Sequence, residues 1–230
     1  LDFAEQYILL REKEFRLYSD EELRLLPNVN ATHPHYREWR MRSESSRRLI
    51  DYLVNKQSPM DILEAGCGNG WLCSQIAKAI TGNVTGLDIN KPELEQAKRV
   101  FTEQKNLAFI TGGLESLQQK KFHVIIFAAS IQYFSSLHTT LTAAFKILHP
   151  KGEVHILDSH FYKLSELPGA QRRTEAYYSK MGFPGLAPFY FHHSFEELKL
   201  FKHKFLYKPN SVFTVFNKNK NPFPWICIYP

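Results

Sequence analysis

The segment DILEAGCGNGWL, residues 61–72, sets an acidic residue, Glu64, just ahead of three glycines on alternate positions, Gly66, Gly68 and Gly70. An apolar run that ends at Glu64-Ala65 and gives way to an amphipathic stretch reads as strand, loop and helix. Such a loop presents backbone N–H groups at a helix N-terminus, where negative charge is favoured. Glycine removes the Cβ atoms that would hold a ligand off the chain. Spacing narrows the ligand: a dinucleotide turn of the G-x-G-x-x-G form needs its third glycine at position 71, which is Trp71, and a P-loop needs a Gly-Lys-Ser/Thr run that this chain lacks.

Other chemistry-bearing residues cluster where apolar runs end. Asp158, Ser159 and His160 follow GEVHILD, and His160 is the candidate general base; His155, inside the run, reads as a hydrogen-bonded interior residue. Ser130, Gln132 and Tyr133 follow FHVIIFAA. FYFHHSF, residues 189–195, adds Tyr190, His192 and His193 and is expected to close over an acceptor. Cys67, Cys73 and Cys227 form no Cys-x-x-Cys pair, which argues against a disulfide framework or a structural zinc and fits a reducing compartment. Cys67, between two glycines, reads as a small loop filler. His33-x-His35 and the His192-His193 pair come without convergent carboxylates, so no metal site is expected.

These residues need a scaffold. At 230 residues, with 43% hydrophobic and 23% charged side chains, the chain matches a folded globular domain rather than a disordered or fibrous one. No apolar run approaches the roughly eighteen residues of a membrane span, and the charged start LDFAEQYILLREKEF does not read as a signal peptide, so a cytoplasmic protein is expected. The net charge of +6 permits an anionic partner. The basic residues are spread out (Arg37, Arg40, Arg42, Arg47 and Arg48; Lys199, Lys202, Lys204 and Lys208; Lys218 and Lys220) and read as a solvated surface rather than a nucleic-acid footprint.

Residues 2–26 and 34–56 read as helices separated by Pro27 and Pro34. From residue 60, apolar runs alternate with amphipathic stretches: strands at 61–65, 83–88, 107–112, 122–129 and 152–158, helices at 70–80, 91–104 and 135–148. FHVIIFAA and GEVHILD are apolar enough to be central strands. Residues 160–195, rich in aromatics and broken by Pro168, Pro184 and Pro188, read as a lid or insertion. SFEELKLF reads as a short helix capped by Ser194 with Glu197 three residues on, and KHKFLYKP and FPWICIYP as closing strands.

The E-x-G-x-G-x-G form, with Asp88 ending the next strand, resembles the class I S-adenosylmethionine-dependent methyltransferases. Downstream segments carry the likeness on: LAFITGGLESL resembles the stretch after the third strand, FAASIQYF the fourth strand end, and ILHPKGEVHILD the turn into the fifth strand. The likeness covers residues 60–160 and, more weakly, the last thirty. It implies a doubly wound α/β fold with a mostly parallel seven-stranded sheet, here with a helical N-terminal extension (1–58), a core (60–160), an insertion (160–195) and a C-terminal helix and strands (196–230). It implies S-adenosylmethionine as cofactor, with Gly66, Cys67, Gly68 and Gly70 around its methionine part and Glu64 near its ammonium. Asp88 would then hold the ribose hydroxyls at the other end of the ligand, and Ile89, Asn90, Gly113, Leu114 and Ala129 would line the rest of its site. Gly113 stands where the family often has an aspartate, so backbone groups around Leu114 are expected to serve the adenine. Gln132, Tyr133, Tyr190 and His192 are the expected acceptor contacts.

Methyl transfer from a sulfonium is an in-line displacement, in which the protein aligns the nucleophile and excludes water. An amine can attack unaided once neutral, whereas a hydroxyl profits from a neighbouring base. The expectation is a methyltransferase acting on oxygen or nitrogen of a small-molecule acceptor. An RNA or protein methyltransferase and a non-catalytic cofactor-binding regulator are the alternatives, with a nicotinamide dehydrogenase behind them.

Overall fold

The computed structural model describes residues 3–117, 119–209 and 221–230; Lys218 and Lys220 lie outside them. Three helices come first: α1 (Phe3–Lys13), α2 (Asp20–Leu25) and α3 (Tyr36–Val54). The expected continuous helix over 2–26 is therefore two. Phe15 adopts a left-handed φ of 56°, and Ser19 starts α2 afresh with a capping box, its hydroxyl accepting from the Glu22 N–H while Glu22 accepts from the Ser19 N–H.

The core then alternates β1 (Met60–Ala65), α4 (Trp71–Ala79), β2 (Gly82–Asp88), α5 (Lys91–Val100), β3 (Leu107–Thr111), β4 (Phe122–Ala128), α6 (Leu137–Lys146) and β5 (Leu148–Leu157). Asn90 caps α5 and Pro92 sits in its first turn, where a missing N–H costs nothing. The two-residue strands β6 (Phe161–Tyr162) and β7 (His193–Ser194) pair in parallel around α7 (Leu167–Lys180), a full helix where the sequence suggested only a loose insertion. Ser194 and Glu197 exchange the expected capping hydrogen bonds, but the turn they open, Glu197–Leu200, is a single 3₁₀ piece. Strands β8 (Lys202–Tyr207) and β9 (Trp225–Tyr229) end the chain.

The sheet order is β3-β2-β1-β4-β5-β9-β8, with β1 to β5 parallel and β9 antiparallel to both β5 and β8. The chain reverses its winding between β1 and β4, so a crevice opens at their carboxyl ends. Both sheet faces are covered, one by α3, α4 and α5 through Trp39, Leu49 and Ile76, the other by α6 through Leu137, Leu141 and Ala144. Strand β4 is therefore apolar throughout its centre, as a strand buried on both faces must be. Removing one methyl group there, Ile126→Val, is expected to cost about 0.5–1.5 kcal/mol in urea unfolding with the m-value unchanged.

Behind the crevice a polar network ties β5 to β9. His155, wholly buried, accepts from the Trp225 indole N–H at 3.1 Å and faces Glu153 Oε2 at 3.3 Å. Tyr52 and Lys56 also reach Glu153. Glu153, His155 and Cys227 have the spacing of metal ligands, yet the imidazole Nδ1 is occupied by the indole and the carboxylate by the ammonium of Lys56 and the phenol of Tyr52. The group is satisfied as a hydrogen-bonded core, as expected of His155.

Candidate functional site

A cavity of about 790 Å³ occupies the crevice. Its floor is the carboxyl ends of β1, β2, β4 and β5, and its roof is made by α1 and α7 with the turn at Pro184–Phe189. The parts of the roof are stitched together: Lys13 Nζ donates to the Met181 carbonyl at 3.0 Å, the Tyr177 hydroxyl bonds Glu14, and the rings of Phe3 and Phe189 lie 4.9 Å apart.

The glycine loop forms one wall. Gly66 and Cys67 both donate their N–H groups to the Leu87 carbonyl, at 2.8 and 3.1 Å, which seats the loop on β2. Gly66, at φ 74°, could not carry a Cβ, which would lie 2.5 Å from that of Ser130. The Gly68 N–H donates to Asp88 Oδ2 at 2.7 Å and the Asn90 N–H to Oδ1 at 2.8 Å. Loop and acid, expected at different ends of a ligand, are thus joined directly into one surface. The Asp88 carboxyl is raised by burial, against the backbone N–H groups that favour its charge.

Two more carboxyls face this wall. Glu64, 3% exposed, accepts from the Cys73 thiol at 2.9 Å, and burial pushes its pKa up to about 8. Glu93, in the first turn of α5, lines the cavity beside Gly68, raised to about 7 by burial despite the charge of Arg11. Burial pushes the Cys67 thiol up to about 11, which leaves it the neutral filler expected. Ile89 stands on the rim with 61% of its surface open.

The opposite wall is aromatic. Phe3 and Tyr7 of α1, Tyr133 after β4, Tyr177 and Tyr178 of α7, and Tyr190 converge on the cavity. Tyr7 meets Tyr133 edge-on at 6.0 Å, and Tyr133 meets Tyr190 at 5.8 Å. Gln132 is fixed from both ends, its amide donating to the Ala129 carbonyl and its Oε1 accepting from Ser159. Ala129 and Asp158, at the ends of β4 and β5, both have left-handed φ values, 53° and 55°. Asp158 faces the cavity with its carboxylate already engaged by Ser45 and by Asn221 of the NPFP segment.

Of the residues singled out from sequence, Glu64, Gly66, Cys67, Gly68, Asp88, Ile89, Asn90, Gly113, Leu114, Ala129, Gln132, Tyr133 and Tyr190 line this one cavity. Three do not. Gly70 is needed for packing, since a Cβ there would lie 2.4 Å from the Phe109 ring. His192 sits behind the wall, where its Nε2 meets the Thr174 hydroxyl at 2.9 Å. His160 is solvent-exposed outside the lining, its ring edge-on to Phe223 at 4.6 Å, with partial desolvation and the Arg173 charge lowering its pKa. The neighbouring residues of β6 turn inward instead, Phe161 into the core and Tyr162 onto the cavity. Replacing His160 with alanine is accordingly expected to change S-adenosylhomocysteine affinity by less than about twofold, checked by titration calorimetry.

Sequence reasoning missed Tyr7, Arg11 and Glu93. Glu93 reads as an ordinary acid in the first turn of a helix. On α1, Phe3, Tyr7, Arg11 and Glu14 recur at helical spacing and share the cavity face; that mixed polar and aromatic stripe was the available signal.

A family model described as a methyltransferase domain matches residues 56–214. Malonyl-(acyl-carrier protein) O-methyltransferase from Priestia megaterium is 37% identical over 98 residues, 40% of this chain and 34% of that protein. Its counterpart from Halalkalibacterium halodurans is 29% identical over 118 residues, 46% of this chain and 44% of that protein. The chain thus spans less than half the length of these curated relatives. Among solved structures, magnesium protoporphyrin IX methyltransferase from Synechocystis PCC 6803 superposes with a TM-score of 0.62 at 13% identity, over 97% of this chain and 95% of that one. The cyclopropane synthase MmaA2 from Mycobacterium tuberculosis gives 0.54 at 20% identity, over 71% and 64%. At these identities the superpositions speak for the fold, and the family model, matched across more than half of the sequence, speaks for descent: the chain belongs to the class I S-adenosylmethionine-dependent methyltransferases.

Proposed function

We propose that the chain, acting as one domain over residues 1–230, transfers the methyl group of S-adenosylmethionine to an oxygen or nitrogen of a small acceptor, free or carried on a flexible arm. The observation that carries this reading is the continuity of one cavity from the Gly66–Gly68 loop and Asp88 to the tyrosine wall. Donor and acceptor can meet there out of water.

The residues suit the cofactor. A buried carboxyl hydrogen-bonded only to the Cys73 thiol and backbone, Glu64, offers a counter-ion for the ammonium. Asp88 retains acceptor capacity for a ribose hydroxyl, since an ionised carboxylate has about four lone-pair sites and the backbone N–H groups of Gly68, Asn90 and Ile89 do not fill them. Ile89 offers bare apolar surface to the adenine, with Asn90, Gly113 and Leu114 around it, and Gly66, Cys67 and Gly68 border the methionine part. When bound, the cofactor supplies the electrophilic methyl; the chain's own part is to hold it, to orient the acceptor with Gln132, Tyr133 and Tyr190, and to exclude water beneath α1 and α7.

The roof favours an acceptor that enters whole or at the end of a thin arm over a bulky polymer. Relatives named for O-methylation of malonyl-(acyl-carrier protein), and one from Bartonella tribocorum named for ubiquinone biosynthesis, favour oxygen. Among the described residues no helix is long and apolar enough to cross a membrane. In a thermal-shift test S-adenosylhomocysteine should raise the Tm and NADH should not; stabilisation by NADH alone would defeat the proposal.

A further inference from the structure

We propose that the acceptor is a carboxylate, bound at Arg11 and methylated on oxygen as the anion, with no general base. This rests on the methyltransferase reading above and names the acceptor's chemistry.

Arg11 projects from α1 into the cavity, and its Nε is buried without a hydrogen-bond partner. Its nearest carboxylate is poorly available: Glu14 lies 3.7 Å away and is shared with Arg16 Nε at 3.3 Å and with the Tyr177 hydroxyl. A planar guanidinium with a free edge in a partly apolar cavity is built to donate two parallel hydrogen bonds to a carboxylate. Burial acts against the Arg11 charge and the nearby carboxyls of Glu93 and Glu14 act for it, and the cation is maintained.

The bases of the same cavity are carboxyls, and most are engaged elsewhere: Glu14 and Glu38 pair with Arg16, Asp158 accepts from Ser45 and Asn221, Asp88 from backbone N–H groups, and Glu64 from the Cys73 thiol. Among the described residues no histidine lines it. The surrounding phenols, Tyr7, Tyr133, Tyr177, Tyr178 and Tyr190, are all raised by burial and so are neutral donors at physiological pH. Glu93 lies on the glycine-loop side, against Gly68. A hydroxyl acceptor would want a base there; a carboxylate oxygen is already a nucleophile. Its lone pair forms the O–CH3 bond as the S–CH3 bond breaks, and that electron pair stays on sulfur as a neutral thioether. No proton moves. The ester has lost the charge that Arg11 recognised, which favours its release.

The test uses the full chain saturated with S-adenosylhomocysteine and calorimetric titration of 3-phenylpropionate and octanoate against their amides. The expected result is that at least one carboxylate binds, more than tenfold tighter than its amide. Arg11→Met should weaken the carboxylate at least tenfold, Arg11→Lys should fall between, and S-adenosylhomocysteine affinity should stay within twofold in both. With S-adenosylmethionine, mass spectrometry should find the methyl ester. Equal binding of acid and amide, no binding of either carboxylate to the loaded protein, or indifference to Arg11→Met would each overturn the proposal. Failure of S-adenosylhomocysteine itself to bind would instead overturn the methyltransferase reading.

Discussion

Asp88→Ala is expected to weaken S-adenosylhomocysteine binding by about 1.5–3 kcal/mol, the scale of hydrogen bonds to a charged group and more than tenfold in Kd. Asp88 does two things that the substitution removes together. It accepts the N–H groups of Gly68 and Asn90, which shapes the loop and the start of α5, and its remaining lone pairs face the cavity. Loss of the first function should appear as a fall in Tm, and loss of the second as a fall in affinity measured well below that Tm. Asp88→Asn separates them in part, because an amide has one acceptor oxygen and must turn an NH2 toward one of the two backbone donors. Titration calorimetry on both variants, with unchanged affinity in Asp88→Ala, would remove Asp88 from the ribose site.

The glycine-loop side of the cavity was legible because its signals are local. A strand ending at Glu64, glycines at 66 and 68, and an acid closing the next strand sit in a single strand-helix-strand unit, and a parallel sheet leaves that unit little freedom in how its loop meets its neighbour. Gly70 shows the limit of such reasoning. Its left-handed φ is as real as those of Gly66 and Gly68, yet the space it vacates is taken by Phe109 of β3, a contact no spacing rule contains. The acceptor half was legible only in part. Tyr133 follows a recognisable strand end and Tyr190 falls in the aromatic run FYFHHSF, whereas Tyr7 and Arg11 reach the cavity because α1 folds back over it and is held there by Lys13 and Glu14 against α7. That is a long-range arrangement. His160 lies outside the cavity lining for a related reason: proximity in sequence to a strand end does not say which side chains of the departing chain face the crevice.

The affinity of S-adenosylhomocysteine should rise steeply with pH, roughly 100-fold between pH 5.5 and 7.5, at close to tenfold per unit. The cause is Glu64. Burial lifts its pKa from 4.5 to about 8, and the Asp88 charge adds to that, against the hydrogen bonds from Cys73. In the free protein the group therefore carries a proton through neutral pH. An ammonium beside it requires the carboxylate, so binding expels that proton and is favoured as pH rises. Folding of the free protein carries the opposite sign: with the folded pKa above the unfolded one, stability falls as pH climbs from about 4.5 to about 8, and the ligand offsets the loss. Glu93, raised to about 7 in the same cavity, titrates in an overlapping window, so two variants are needed. Glu64→Gln should flatten the profile and cut the protons released, measured by calorimetry in buffers of different ionisation enthalpy, from nearly one to nearly none. Glu93→Gln should keep most of the slope. A flat wild-type profile would take Glu64 out of the ammonium site.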